Sequence, residues 1–108
     1  MSAQRVCAES ELAPGTARKV VLDGIAIAVV RDSDGVVHAL GDTCTHGDIS
    51  LAEGFVEGDS IECWAHGSKF SLTTGVPSTL PAYEPVPVFA VEIIDGGIHV
   101  DPAARLAV

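Results

Sequence analysis

Two stretches decide how this chain of 108 residues is read: Cys44-Thr45-His46-Gly47 and Cys63-Trp64-Ala65-His66-Gly67-Ser68-Lys69-Phe70. Each sets a cysteine and a histidine close together and follows the histidine with glycine. Sixteen residues lie between His46 and Cys63. A tight turn can aim a Cys and its neighbouring His at one point, and the glycines allow backbone N–H groups to approach closely. Two thiolates and two imidazoles make a four-ligand metal set, so Cys44, His46, Cys63 and His66 are the candidate metal ligands.

Around these stretches, from Asp42 to about Pro87, glycines, prolines, cysteines and histidines interrupt short strand candidates. Phe55–Val56 and Ser60–Cys63 form a small hairpin around Glu57-Gly58-Asp59. Lys69–Leu72 reads as a short strand ending at Thr73-Thr74-Gly75. Further out the pattern changes to longer apolar runs divided by Asp-Gly turns, the strongest short-range hairpin signal. Asp23-Gly24 separates Arg18–Leu22 from Ile25–Arg31. Asp32-Ser33-Asp34-Gly35 separates that run from Val36–Leu40. Asp95-Gly96-Gly97 separates Val88–Ile94 from Ile98–Asp101. Within Val88–Ile94, Phe89, Val91 and Ile93 fall on one face, the pattern of a half-buried strand. Ser10 to Leu12, ahead of Pro14-Gly15, reads as one helical turn. No long amphipathic helix and no internal repeat is present. The expected architecture is all-β: an antiparallel sandwich or barrel base, residues 1–41 and 88–108, with a metal-binding subdomain at about 42–87 inserted into it. The whole chain, 1–108, reads as one domain.

Composition agrees. Hydrophobic residues make up 47% of the chain but aromatics only 5%, so Val, Ile, Leu and Ala must fill the core. Eleven glycines and many β-branched residues favour sheet and tight turns. Six Lys and Arg against 15 Asp and Glu give a formal charge of −9, which opposes nucleic-acid phosphates and anionic membranes and suits a basic protein partner. The longest apolar run, Ile25 to Val30, is strand-sized and far short of the roughly 18 residues that span a bilayer. Met1 to Glu11 has no apolar signal core, so a cytoplasmic location is expected. Three cysteines in such a chain read as ligands or free thiols rather than a disulfide framework.

Two metals fit two Cys and two His. Zinc is one, although zinc fingers usually order a Cys pair before a His pair. A two-iron cluster is the other: with one Cys for the inner iron and one His for the outer from each loop, it matches the alternating order here.

Together with Thr74-Gly75, the two stretches resemble the Rieske pattern C-x-H-x(n)-C-x-x-H-G-x-x-F-x-x-x-T-G. Asp48-Ile49-Ser50-Leu51-Ala52-Glu53-Gly54-Phe55 is similar to the small stand-alone Rieske ferredoxins of bacterial aromatic-ring-hydroxylating dioxygenase systems. The resemblance is close over Gly41 to Phe89 and looser in the flanks. It implies a Rieske iron–sulfur-protein-like fold whose two loops present one [2Fe–2S] cluster, held by Cys44, His46, Cys63 and His66, at one tip. A proline-containing third segment usually covers the cluster, and Leu80-Pro81-Ala82 through Pro85-Val86-Pro87 is the candidate. The implied role is a low-potential electron carrier, not an enzyme, between a flavoprotein ferredoxin reductase and a terminal oxygenase.

Formal charges explain the histidines. Two ferric ions (+6), two sulfides (−4) and two thiolates (−2) give a neutral oxidised centre, whereas four thiolates would give −2. A neutral centre accepts an electron at less electrostatic cost, so its potential is higher. In family members the histidines lie on the outer iron nearest solvent, which makes His46 and His66 the expected electron exit and the groups that couple reduction to protonation at alkaline pH. High-potential relatives carry a disulfide between the loops and a tyrosine hydrogen-bonded to a cluster thiolate. Ile49 and Ala65 stand where those cysteines would be, and Phe70 stands at the tyrosine. Ser68 matches their serine, which donates to a bridging sulfide. The balance points to a potential on the order of −150 mV. Trp64 replaces a common proline, as a shield for the cluster or part of a docking surface.

The other chemistry-bearing residues carry less. His99 alternates with Ile98 and Val100 and reads as a surface residue. His38 reads as a structural or exposed strand residue, and Cys7 as a buried free thiol in the first strand. No facial triad, nucleotide loop or Ser-His-Asp set is present. Rival readings are a Rieske ferredoxin serving Fe–S cluster assembly or another iron enzyme, a nitrite-reductase small-subunit-like protein, and a structural zinc module.

Overall fold

Nearly every strand grows from a turn already visible in the sequence. The computed structural model describes residues 3–43, 49–64, 67–78 and 85–105. Strand β1 (Gln4–Ala8) leads into a single 3-10 turn, Glu9–Glu11, one residue ahead of the expected Ser10–Leu12. Strands β2 (Thr16–Leu22) and β3 (Ile25–Arg31) form a hairpin across Asp23-Gly24, where both residues take positive φ, 51° and 78°. That is the mirror-image turn whose twist matches the flanking strands. Strand β4 (Val37–Gly41) follows the Asp32–Gly35 turn. After the intervening segment come β8 (Val88–Ile94) and β9 (Gly97–Arg105).

These six strands make one antiparallel sheet in the order β1-β9-β8-β4-β3-β2. The sheet curls almost closed: Gln4 Nε2 on the β1 edge donates to Asp23 Oδ2 beside the β2 edge at 3.2 Å. Strand β9 runs past the expected Asp101. Its pairing with β8 jumps from Ala90↔Asp101 to Phe89↔Arg105, so a bulge containing Pro102 absorbs the proline and the strand resumes.

A second, three-stranded sheet is made by β5 (Phe55–Glu57), β6 (Ser60–Glu62) and β7 (Lys69–Ser71), in that order. A 3-10 turn, Leu51–Glu53, precedes it. Register puts Val56, Ile61 and Phe70 in one row and Phe55, Glu62 and Lys69 in another. The first row belongs to the core and the second lies on the open face.

The core has two halves separated by the large sheet. Cys7, Leu12, Ile27, Val29, Ala39, Phe89, Ile98 and Val100 fill the inside of the curl. Ala28, Val30, Leu40 and Val88 point the other way and join Leu51, Ile61, Cys63, Phe70, Leu72 and Val86. Adjacent residues of β3, β4 and β8 therefore belong to opposite clusters. This is why Ile25 to Val30 is apolar without alternation: both faces of that strand are covered. The expected alternation in β8 gives way to a gradient, from buried Val88 and Phe89 to exposed Ile93 and Ile94, because only its first residues lie between the clusters. No helix among the described residues is long and apolar enough to cross a membrane.

Candidate metal centre

Two loops rise from stems fixed by backbone hydrogen bonds. The first leaves the end of β4 at Asp42. Its base is closed by the Thr43↔Ser50 bridge and by the Leu51 N–H donating to the Asp42 carbonyl at 2.6 Å. The second continues the β6–β7 ladder beyond Glu62↔Lys69. There the Cys63 N–H donates to the Ser68 carbonyl at 2.7 Å, and the Gly67 N–H donates to the Cys63 carbonyl at 2.9 Å. Gly67 has φ of +76°, a conformation that reverses the chain within one turn and suits glycine. The motif glycine thus has a geometric reason, independent of any ligand.

Cys44, His46 and His66 lie outside the described residues. Of the four candidate ligands, Cys63 is described. It is 1% exposed, carries a free thiol, and packs in the cluster shared by the small sheet and the outer face of the large one. No group of three or more His, Cys, Asp or Glu side chains is brought together among the described residues. The stems nonetheless share one apolar base. Leu51 from the first loop and Cys63 and Phe70 from the second belong to one cluster, with Ile49 packed against it. The described stems of the two segments therefore meet in the same part of the molecule.

The surroundings suit an iron–sulfur centre. The candidate donors are two cysteines and two histidines, and Cys63, the one described, is buried with a free thiol among the described residues. Ser68 is fully buried beside the second loop. Ser50 Oγ, at the exit of the first, is a buried hydroxyl with no partner among the described residues. Phe70, at the family's tyrosine position, is fully buried and supplies no hydroxyl. Ile49 stands at one position of the absent disulfide, and Ala65, the other, lies outside the described residues.

The third segment is partly described. Ser78 N–H donates to the Lys69 carbonyl at 2.7 Å, and Val86 N–H donates to the Gly75 carbonyl at 2.9 Å. A Cβ on Gly75 would lie 2.1 Å from the Val86 carbonyl oxygen. The Thr74-Gly75 signature thus admits the returning chain against the small sheet. Leu80, Pro81 and Ala82 lie outside the described residues, whereas Pro85 to Pro87 run back to β8 with Val86 buried.

Two buried carboxylates flank β4. Asp42, at the foot of the first loop, accepts the Ala52 N–H on Oδ1 at 2.9 Å, with Lys19 Nζ 4.0 Å from Oδ2. Asp32, before the other end, accepts Asp34 N–H and Val36 N–H on Oδ1, each at 2.9 Å, and the His38 imidazole on Oδ2 at 2.9 Å. Burial raises the Asp32 pKa, but the hydrogen bonds from His38, Val36 and Asp34 and the charge on His38 together outweigh it, so the carboxyl is held below its ordinary 3.8. His38, expected as a structural or exposed strand residue, is structural: it clasps the β3–β4 turn through Asp32. The partner itself has only a weak sequence signal, its place six residues before His38. Cys7 is the expected buried thiol of the first strand, and His99 is half-buried on β9.

With fold and site in place, the chain belongs to the Rieske [2Fe–2S] domain family, whose model matches residues 2–90. Its cofactor is accordingly one [2Fe–2S] cluster. The chain is similar to the ferredoxin CarAc of Metapseudomonas resinovorans, 46% identical over 97 residues that cover 89% of this chain and 90% of the relative. It is also similar to the ferredoxin in a solved complex of reduced oxygenase and oxidized ferredoxin in carbazole 1,9a-dioxygenase. That match has a TM-score of 0.89 and 40% identity and covers 97% of each chain. The ferredoxin of carbazole 1,9a-dioxygenase from Nocardioides aromaticivorans IC177 matches with a TM-score of 0.88 and 33% identity, over 94% of this chain and 99% of that one.

Proposed function

We propose that this chain is the ferredoxin component of a ring-hydroxylating oxygenase system, carrying single electrons from a flavoprotein reductase to a terminal oxygenase in the cytoplasm. Cys44 and Cys63 supply the thiolate ligands and His46 and His66 the imidazoles, and the chain acts as one domain with the 42–87 segment as its cluster-binding part. The observation that carries the ligand assignment is Cys63: a dry, unpaired thiol at the start of a turn closed by Gly67, three residues before His66. When bound, the cluster takes up and gives back one electron. The chain's own residues hold it, exclude water and meet the partner.

The partner reading rests on the surface as well as on the relatives. The open face of the small sheet carries exposed Phe55 beside Glu57 and Glu62, and Trp64 next to Cys63 is 50% exposed. Two exposed aromatic anchors suit a partner surface with an apolar hollow, while the two carboxylates beside Phe55 both lie within 4.0 Å of Lys69 Nζ and are partly offset by it. The net charge of −9 favours salt-sensitive encounter with a basic partner.

The purified protein should be red-brown, and its reduced form should give the low-g EPR signal of a Rieske centre. A colourless protein with one zinc per chain would support the zinc reading and overturn this one. His66→Cys should lower the potential or lose the cluster, and unchanged spectra would refute the ligand assignment.

A further inference from the structure

The residue at the foot of the first ligand loop is a buried charge that hydrogen bonding alone does not explain. Asp42 is 2% exposed. It is fastened on three sides: its N–H donates to the Ala26 carbonyl at 3.0 Å, its carbonyl accepts Leu51 N–H, and its Oδ1 accepts Ala52 N–H. One residue thus joins the large sheet to the stem of the loop that contains Cys44 and His46: its backbone makes two of the bonds, and its side chain makes the third, to Ala52 beyond the loop's exit. A carboxamide oxygen would accept the Ala52 bond equally well without the cost of burying a charge.

The charge is also poorly balanced. Asp32, the other buried carboxylate, receives two amides and an imidazole. Among the described residues, Asp42 receives one amide on its side chain and has one cation nearby, Lys19, 4.0 Å away with its side chain 53% exposed. So exposed an ammonium is screened by water and offsets little of the field. Cys44, a proposed ligand, is two residues on in the chain. A buried carboxylate close to a redox centre opposes the arrival of an electron.

We infer that Asp42 is a positioning and potential-setting residue: it clamps the first ligand loop to the large sheet, and its fixed negative charge lowers the reduction potential of the centre beside it. The inference rests on the ligand set proposed above.

Redox titration of the cluster-loaded protein, with iron content and EPR, tests it. Asp42→Asn keeps an acceptor for Ala52 and removes the charge, so the midpoint potential rises while iron content and g-values stay as in the wild type. Asp42→Ala removes both, so the potential rises and iron per chain falls. Asp32→Asn neutralises a buried carboxylate at the far end of β4 and moves the potential less than Asp42→Asn does. An Asp42→Asn potential at or below the wild-type value overturns the charge role. Full iron retention in Asp42→Ala overturns the clamp. A wild-type protein without a Rieske signal would instead sink the ligand assignment, which keeps the two failures apart.

Discussion

The large and small sheets solve the same packing problem with different resources. In the large sheet β2, β3 and β8 have seven residues each and β9 has nine, and β3 is covered on both faces. Its inner cluster is drawn almost wholly from its own strands. The small sheet has three strands of three residues, and its one buried row, Val56, Ile61 and Phe70, cannot close a core alone. It borrows the outer face of β3, β4 and β8. The base is thus built to be stable and the small sheet to be placed. In return, the loop stems depend on a shared apolar layer.

The largest effect that would break this division comes from Cys63→Ser. Visible absorption and bound iron should be lost altogether, while the far-UV circular dichroism stays that of a β-protein. Collapse of the β signal as well would show that the two sheets are one cooperative unit. Next is Phe70→Ala, which empties the middle of the shared cluster and should cost about 3–5 kcal/mol in denaturant unfolding. Bleaching of the cluster should precede loss of the β signal in that variant. In Ile27→Ala, a cavity inside the base, the two signals should fall together.

A smaller effect sharpens the base side. The Asp32 pKa is lowered on folding, so its contribution is fully present above the unfolded value of 3.8 and is lost as pH falls through the lower folded value. Asp32→Asn should therefore be less stable than wild type at neutral pH, by about 1–3 kcal/mol. The gap should narrow only below pH 3.8, as followed by thermal melts across pH. Smallest on the fold is Trp64→Ala, which should change stability by less than about 0.5 kcal/mol. It should weaken oxygenase binding about tenfold, or ~1.4 kcal/mol, read by titration calorimetry at two salt concentrations.

Most of the base was legible because its turns are written in Asp-Gly pairs and its strands in β-branched runs. Asp23-Gly24, Asp95-Gly96 and the span Val88–Ile94 stand where they were expected. The extension of β9 was hidden by Pro102, which reads as a strand end unless a bulge is known to be there. Ile93 shares the face of Phe89 and Val91 as expected but lies beyond its cover and is exposed: alternation says which residues share a face, but not where along the strand the cover stops. The β5–β6 hairpin around Gly58 was legible from its turn, whereas the roles of Asp42 and His38 were not. Both act through partners distant in sequence or by burial, and a pattern of residue types carries neither.

The loop stems have one more consequence. Moving an electron is fast when little else has to move, and the barrier grows with how far the surrounding dipoles must turn as the charge arrives. At the described stems those dipoles are amides already committed to carbonyls: Cys63 to Ser68, Gly67 to Cys63, Leu51 to Asp42. Amides so committed have little freedom to turn as charge arrives, an arrangement that favours a small reorganisation energy and hence fast exchange.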